Sequence, residues 1–142
     1  MPTLPDPQAP LILLAGALPE ATEPLLHEAG CRVRRAFSVV AALRLAEERP
    51  QPRLLLLADA VGEGHGMDLL TRLREQPATR NLPVLYVGSG DEELALALGA
   101  SDCLSLPLRP LVLLARVQAQ LRLQRLSELT AHGQVQIIGT AV

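Results

Sequence analysis

Arg53-Leu54-Leu55-Leu56-Leu57-Ala58-Asp59-Ala60-Val61-Gly62-Glu63-Gly64-His65-Gly66-Met67-Asp68 sets four leucines in unbroken succession ahead of an aspartate, three glycines in five residues and the start of a helical pattern. A short apolar run bounded by turn residues suits a strand buried on both faces, the condition of a strand inside a parallel sheet. Gly62, Gly64 and Gly66 permit a tight loop after it. In open α/β sheets, ligands and chemistry gather outside the carboxyl ends of such strands. Ala58 and Asp59, at the end of this one, are therefore the first residues to question.

Working outward from this third strand, Arg53–Ala58, the run Leu11–Leu14 reads as a first buried strand and Cys31–Ala36 as a more polar second one near the sheet edge. Pro83–Val87 and Cys103–Leu106 supply the fourth and fifth. Helical patterns lie between them. Thr22 is positioned to cap a helix through Ala29, and Ser38 to cap Val39–Arg49, with Val40, Leu43, Leu45 and Ala46 as its apolar stripe. Met67–Glu75 follows the glycine loop. Asp91 is placed to cap Glu92–Leu98, which Gly99 closes, and a last helix begins at Leu111 and runs to about Leu129. Strands alternating with helices across short loops predict an α/β domain, a doubly wound five-stranded parallel sheet flanked by helices. Residues 1–10, with four prolines, read as an extended leader and residues 11–125 as the domain. Residues 126–142 read as a helix extension and a strand-like tail around Gln134–Ile138, either a pairing arm or a link to an output domain beyond this chain.

Composition narrows the function. A formal charge of −2, with Phe37 and Tyr86 as the only aromatic residues, offers neither a basic footprint nor stacking platforms, so direct nucleic-acid binding is not expected. All thirteen basic residues are arginine, which removes any chemistry that needs a lysine amine. The apolar run Leu11–Leu18 is too short to span a bilayer and no basic residue precedes it, so a cytoplasmic protein without membrane attachment is expected. Cys31 and Cys103 lack metal-ligand spacing and read as reduced thiols. His65 has no ligating neighbours at suitable spacing and reads as a solvated loop residue. Neither glycine loop matches a nucleotide fingerprint. No metal, no cofactor and no enzymatic activity are expected.

Five passages, in order, resemble the receiver domains of two-component response regulators over roughly residues 11–123. They are Leu25–Val33; Leu54–Leu57 with Gly66-Met67-Asp68; Pro77–Val87; Leu98–Leu104; and Pro107–Val117. The resemblance implies the flavodoxin-like receiver fold and a role in phosphorelay signalling. It also implies a site: an acidic pair after the first strand, an aspartate ending the third, a Ser/Thr ending the fourth and a lysine ending the fifth. In active receivers the carboxylates hold magnesium while the third-strand aspartate takes the phosphoryl group. Here those positions fall on Ala15 and Gly16, Ala58, Gly88 and Leu106. Pro107, after the lysine position, is kept. Asp59 and Ser89 each lie one residue beyond the matching place, and strand alternation turns a group displaced by one to the other side.

The resemblance therefore implies a degenerate pseudo-receiver that takes no phosphate and acts by dimerisation or protein docking. Two other readings stand beside it. The vacated pocket of Ala15, Gly16, Ala58, Gly88 and Leu106 binds a small molecule, or Asp59 accepts phosphate in the conventional way. Within the resemblance, the face of the fourth helix, fifth strand and fifth helix is the docking surface. On it Leu94, Leu96, Leu98, Leu111 and Val112 are the interface residues, because acidic positions of the family are apolar here and the fourth helix is about one turn short.

Overall fold

Every residue of Leu54–Ala58 is buried, as expected of a strand at the centre of a parallel sheet. The structure, a computed structural model, describes residues 6–131. In chain order the elements are β1 (Leu11–Ala15), α1 (Thr22–Glu28), β2 (Arg32–Ala36), α2 (Val39–Glu47), β3 (Leu54–Ala58), β4 (Ala60–Val61), β5 (Gly64–His65), α3 (Gly66–Glu75), β6 (Val84–Gly88), α4 (Glu92–Leu98), β7 (Asp102–Ser105) and α5 (Pro110–Ala131). The main sheet runs β2-β1-β3-β6-β7 with every pairing parallel. β6 and β7 are thus the fourth and fifth strands foreseen from the sequence, and β2 lies at the edge as expected.

Alternation along the central strands loads both faces. Leu13, Leu55, Leu57 and Tyr86 point to one side and pack with Ala42 and Ala46 of α2, Leu69, Leu70 and Leu73 of α3, and Ala95 of α4. Ile12, Leu14, Leu54, Leu56 and Leu85 point to the other, against Leu26 of α1 and Leu113 and Val117 of α5. Arg74 closes the first face. Its guanidinium donates to the carbonyls of Thr79, Arg80 and Leu82 at 2.7–3.3 Å, and of Gly99 at 2.9 Å, binding the α3–β6 connection and the end of α4 to one side chain.

Several local expectations are corrected. Thr22 is not a cap: a turn closed by its N–H on the Pro19 carbonyl carries it inside α1, where its hydroxyl is buried. Asp91 precedes α4 without a side-chain capping bond. Ser38 does cap α2 by accepting from the Ala41 N–H at 3.0 Å, but the helix ends at Glu47 and buries Ala42 and Ala46, leaving Val40 outside. On α5 the buried stripe is Leu113, Val117 and Gln120, with Leu114 and Leu121 flanking it. Residues 7–9 of the leader make a turn, with the Gln8 N–H on the Asp6 carboxylate at 2.9 Å. α5 runs on past residue 125 to Ala131, in keeping with the helix extension read there, and is tied to the β3 entrance by an Arg53–Glu128 ion pair at 3.3 Å. The strand-like tail Gln134–Ile138 lies outside the described residues. Cys31 and Cys103 are free thiols, and burial pushes both above their ordinary pKa.

Candidate functional site

The chain leaves β1 toward β2 on one side and later passes from β3 to β6 on the other. The crevice at the carboxyl ends of β1 and β3 is the place where such sheets bind ligands. Here it is filled by the segment expected to be a glycine loop. Ala60–Val61 and Gly64–His65 pair as a two-residue hairpin, Ala60 opposite His65 and Val61 opposite Gly64. Val61 is fully buried in the cluster of Ala15, Ala36 and Leu57. The hairpin's base is bonded to the sheet: the Ala60 carbonyl accepts from the Ala17 N–H at 3.0 Å, and the Asp59 carbonyl from the Gly66 N–H at 2.8 Å. His65 is exposed on β5, as a solvated residue should be.

Glycine is required where this packing is tightest. Gly16 has φ +94°, and a Cβ there would overlap the Ala60 carbonyl oxygen. The acidic-pair positions Ala15 and Gly16 are thus closed by the hairpin. Gly88, the hydroxyl position, is equally committed: a Cβ there would overlap the Tyr86 phenol and lie 2.8 Å from Asp59 Oδ1. That missing Cβ is what lets the Tyr86 hydroxyl donate to Asp59 Oδ1. The Ser89 N–H approaches Asp59 Oδ2 at 3.4 Å, while the Ser89 side chain is exposed.

Asp59 is therefore a partly buried loop residue whose carboxylate holds β6 to the exit of β3. It shares the side of Leu55, Leu57 and Tyr86, whereas Ala58 packs with Ile12, Leu14 and Val87 on the other. Tyr86 is fully buried, and burial, reinforced by the Asp59 carboxylate, pushes its phenol well above the ordinary 10.0.

Leu106 lies at the lysine position with its N–H on the Gly88 carbonyl at 3.2 Å, and the Leu106–Pro107 peptide is cis. The structure brings Ala15, Gly16, Ala58, Asp59, Gly88 and Ser89 to one end of the sheet, and closes the space between them with Val61, Ala60 and Tyr86. Of the residues read as a vacated pocket, Ala15, Gly16, Ala58 and Gly88 are buried against protein atoms, whereas Leu106 is exposed. A cleft of about 290 Å³ lies at the opposite end of the sheet, beside Gln51, Pro52, Asn81, Leu82 and Gln124.

Magnesium does not fit this donor set. Ala15, Gly16 and Ala58 supply no carboxylate, and both oxygens of Asp59 face protein donors. Among the described residues no group of three or more His, Cys, Asp or Glu side chains is arranged to hold a metal ion.

Of the proposed interface residues, Leu94 and Leu96 are 48% and 52% exposed and Leu111 is 82% exposed. Leu98 and Val112 are partly buried and pack against the core, so they support this face more than they present it. Asp102 of β7 joins Arg116 of α5 at 3.3 Å across it. Tyr86 and the hairpin are what sequence reasoning missed at the site. The one available signal was a lone tyrosine in a buried strand, since a buried phenol needs a hydrogen-bond partner.

No protein-family model matches the chain. A 14.6 kDa protein encoded in the sodA1 3′ region of Leptolyngbya boryana, itself uncharacterized, is 36% identical over 98 residues, covering 66% of this chain and 74% of that protein. The phosphate regulon transcriptional regulatory protein PhoB of Rhizobium meliloti (strain 1021) is 35% identical over 105 residues, 68% of this chain and 45% of that regulator. This chain thus spans less than half the length of that regulator. Among solved structures, a putative response regulator from Chloroflexus aurantiacus J-10-fl superposes with a TM-score of 0.75 at 28% identity, covering 81% of this chain and 99% of that one.

Proposed function

Because this chain belongs to the response regulator receiver family, we propose that it is a receiver module that signals without accepting phosphate, by presenting its α4–β7–α5 face to a protein partner. The observation that carries the reading is the Tyr86–Asp59 hydrogen bond across Gly88. The nearest carboxylate to the family's nucleophile position is engaged by a buried phenol, and the hydroxyl position is the glycine that allows it. Phosphoryl transfer relies on a metal and cationic groups to neutralise developing charge; the acidic-pair positions carry Ala15 and Gly16, and the chain has no lysine. On this reading the domain is no enzyme, and its partner is a protein or a second copy.

The docking face is read from what remains exposed. Leu94 and Leu96 of α4 and Leu111 of α5 remain exposed on it, and exposed apolar residues beyond scattered single ones mark interaction sites. None of the described helices is long and apolar enough to cross a membrane.

Incubation with a small phosphodonor and magnesium, followed by intact-mass measurement, tests the chemical half of the proposal. The expected result is an unchanged mass. A gain of one phosphate that Asp59→Ala abolishes would replace this reading with conventional phosphorylation at Asp59.

A further inference from the structure

The α4 surface has an electrostatic counterpart at the far edge of the sheet. Edge strand β2 carries Arg32, Arg34 and Arg35, and it delivers Phe37 and, in the first turn of α2, Val40 to the surface. Phe37 is 67% and Val40 73% exposed, the largest apolar exposures on that side of the molecule. The Arg35 guanidinium lies over the Phe37 ring, 5.4 Å from its centre, and pairs with Glu23 at 3.3 Å. Arg34 occupies the sheet face of Ala36, toward α2. Its Nη1 is shut off from solvent and meets no acceptor among the described residues.

At the opposite edge, Asp91, Glu92 and Glu93 open α4, are exposed and join no ion pair among the described residues. The half-exposed Leu94 and Leu96 follow them directly. One corner is apolar beside the arginines of β2; the other is apolar beside carboxylates that join no ion pair among the described residues.

We infer that the α4 corner of one copy docks on the β2–α2 corner of the next, so that the chain associates with itself head to tail. The inference rests on α4 being a docking surface, as proposed above, and names what it docks on. Leu94 and Leu96 would cover Phe37 and Val40, and the carboxylates of Asp91–Glu93 would lie against the arginine-bearing edge of β2. Each copy presents two different patches, so the contact is heterologous and propagates into a ring or an open chain instead of stopping at a two-fold dimer. Glu63 opposes the contact, since the tip of the β4–β5 hairpin abuts the Phe37 backbone and brings a carboxylate beside the corner.

Sedimentation of the full chain over a range of concentrations tests this. The wild type should grow past dimer as concentration rises and shrink again in about 0.5 M salt, where screening shortens the reach of these charges. Glu63→Gln should tighten association several-fold. Two uncharged double variants separate the corners: Leu94→Gln with Leu96→Gln, and Phe37→Gln with Val40→Gln, all at exposed positions. Each should be monomeric alone, and an equimolar mixture should form a 1:1 dimer and nothing larger, because it holds one intact corner of each kind.

Wild-type association in the Phe37/Val40 variant, together with its loss in the Leu94/Leu96 variant, would overturn the head-to-tail contact while leaving the α4 docking reading intact. A wild type that stays monomeric at every concentration would overturn the contact and leave α4 to a different protein. Failure of the mixture to pair would count equally against it.

Discussion

Tyr86 changes the meaning of its neighbours. In the sequence it is one apolar-strand residue among Val84, Leu85 and Val87, and it reads as core. In the structure it is core along its ring and a hydrogen-bond donor at its tip. Its phenol also offers a clean measurement, since the chain has one tyrosine and no tryptophan. Burial raises the Tyr86 pKa, with Asp59 adding to the effect. In the unfolded chain it should titrate near 10, so the folded state holds its proton over a range where the unfolded state has released it. The stability gained from this is complete below pH 10 and declines as pH climbs from there toward the raised folded value. Absorbance at phenolate wavelengths should stay flat through pH 10 and rise only together with loss of helical circular dichroism. A reversible phenolate titration near pH 10 in the folded protein would contradict the buried hydrogen bond. Asp59 was legible as a misplaced carboxylate, because strand alternation alone argued that it faces away from the family's position. Its actual partner was not legible, because nothing local in Val84–Gly88 signals that the phenol reaches across Gly88.

The elements were legible where their chemistry is unambiguous. Strand β3 announced itself by four leucines, and Gly99, at φ +111°, ends α4 in the left-handed conformation that glycine adopts without strain. Phase was harder. α2 and α5 are so rich in Leu, Ala and Val that more than one face satisfies a 3.6-residue period. Val40, read into the α2 stripe, therefore lies outside the buried face, while Ala46 of the same stripe lies on it. The β4–β5 hairpin was missed altogether: four paired residues among three glycines leave no alternation to detect. That hairpin makes a prediction at its own scale. Gly16→Asp, which restores one acidic residue of the family pattern, places a side chain at φ +94° against the Ala60 carbonyl. Backbone strain and overpacking together should lower stability by about 1–3 kcal/mol, read from the urea midpoint at unchanged m. An unaltered midpoint would mean that the hairpin yields easily and the crevice can open.

For the whole molecule, the parallel sheet and the layers on both faces followed from alternation of elements, the edge place of β2 from its polar sequence, and the five matching passages placed the family. What could not be read was which exposed surfaces remain after packing. Leu111 and Val112 are adjacent apolar residues at the start of α5, yet Leu111 is exposed while Val112 packs against the core. Leu111→Glu should accordingly weaken association about tenfold, or about 1.4 kcal/mol, with the melting temperature preserved. Val112→Glu should act mainly on stability. Sedimentation and thermal unfolding of the two single variants distinguish the roles, and unchanged association in Leu111→Glu would remove α5 from the docking face.

On the phosphate-free reading proposed above, the close packing at Gly16 and Gly88 acts as an evolutionary ratchet. An aspartate at position 16 or a hydroxyl residue at position 88 meets a carbonyl or a phenol before it meets any phosphate. Each single step back toward the active pattern is thus disfavoured before it can be useful. A lineage carrying this packing would have to remake Gly16, Ala58, Gly88 and Leu106 and dislodge Tyr86 nearly together. Selection acting one substitution at a time has an easier course in refining the outer surfaces, where Leu94, Leu111 and Phe37 can change without disturbing the sealed end of the sheet.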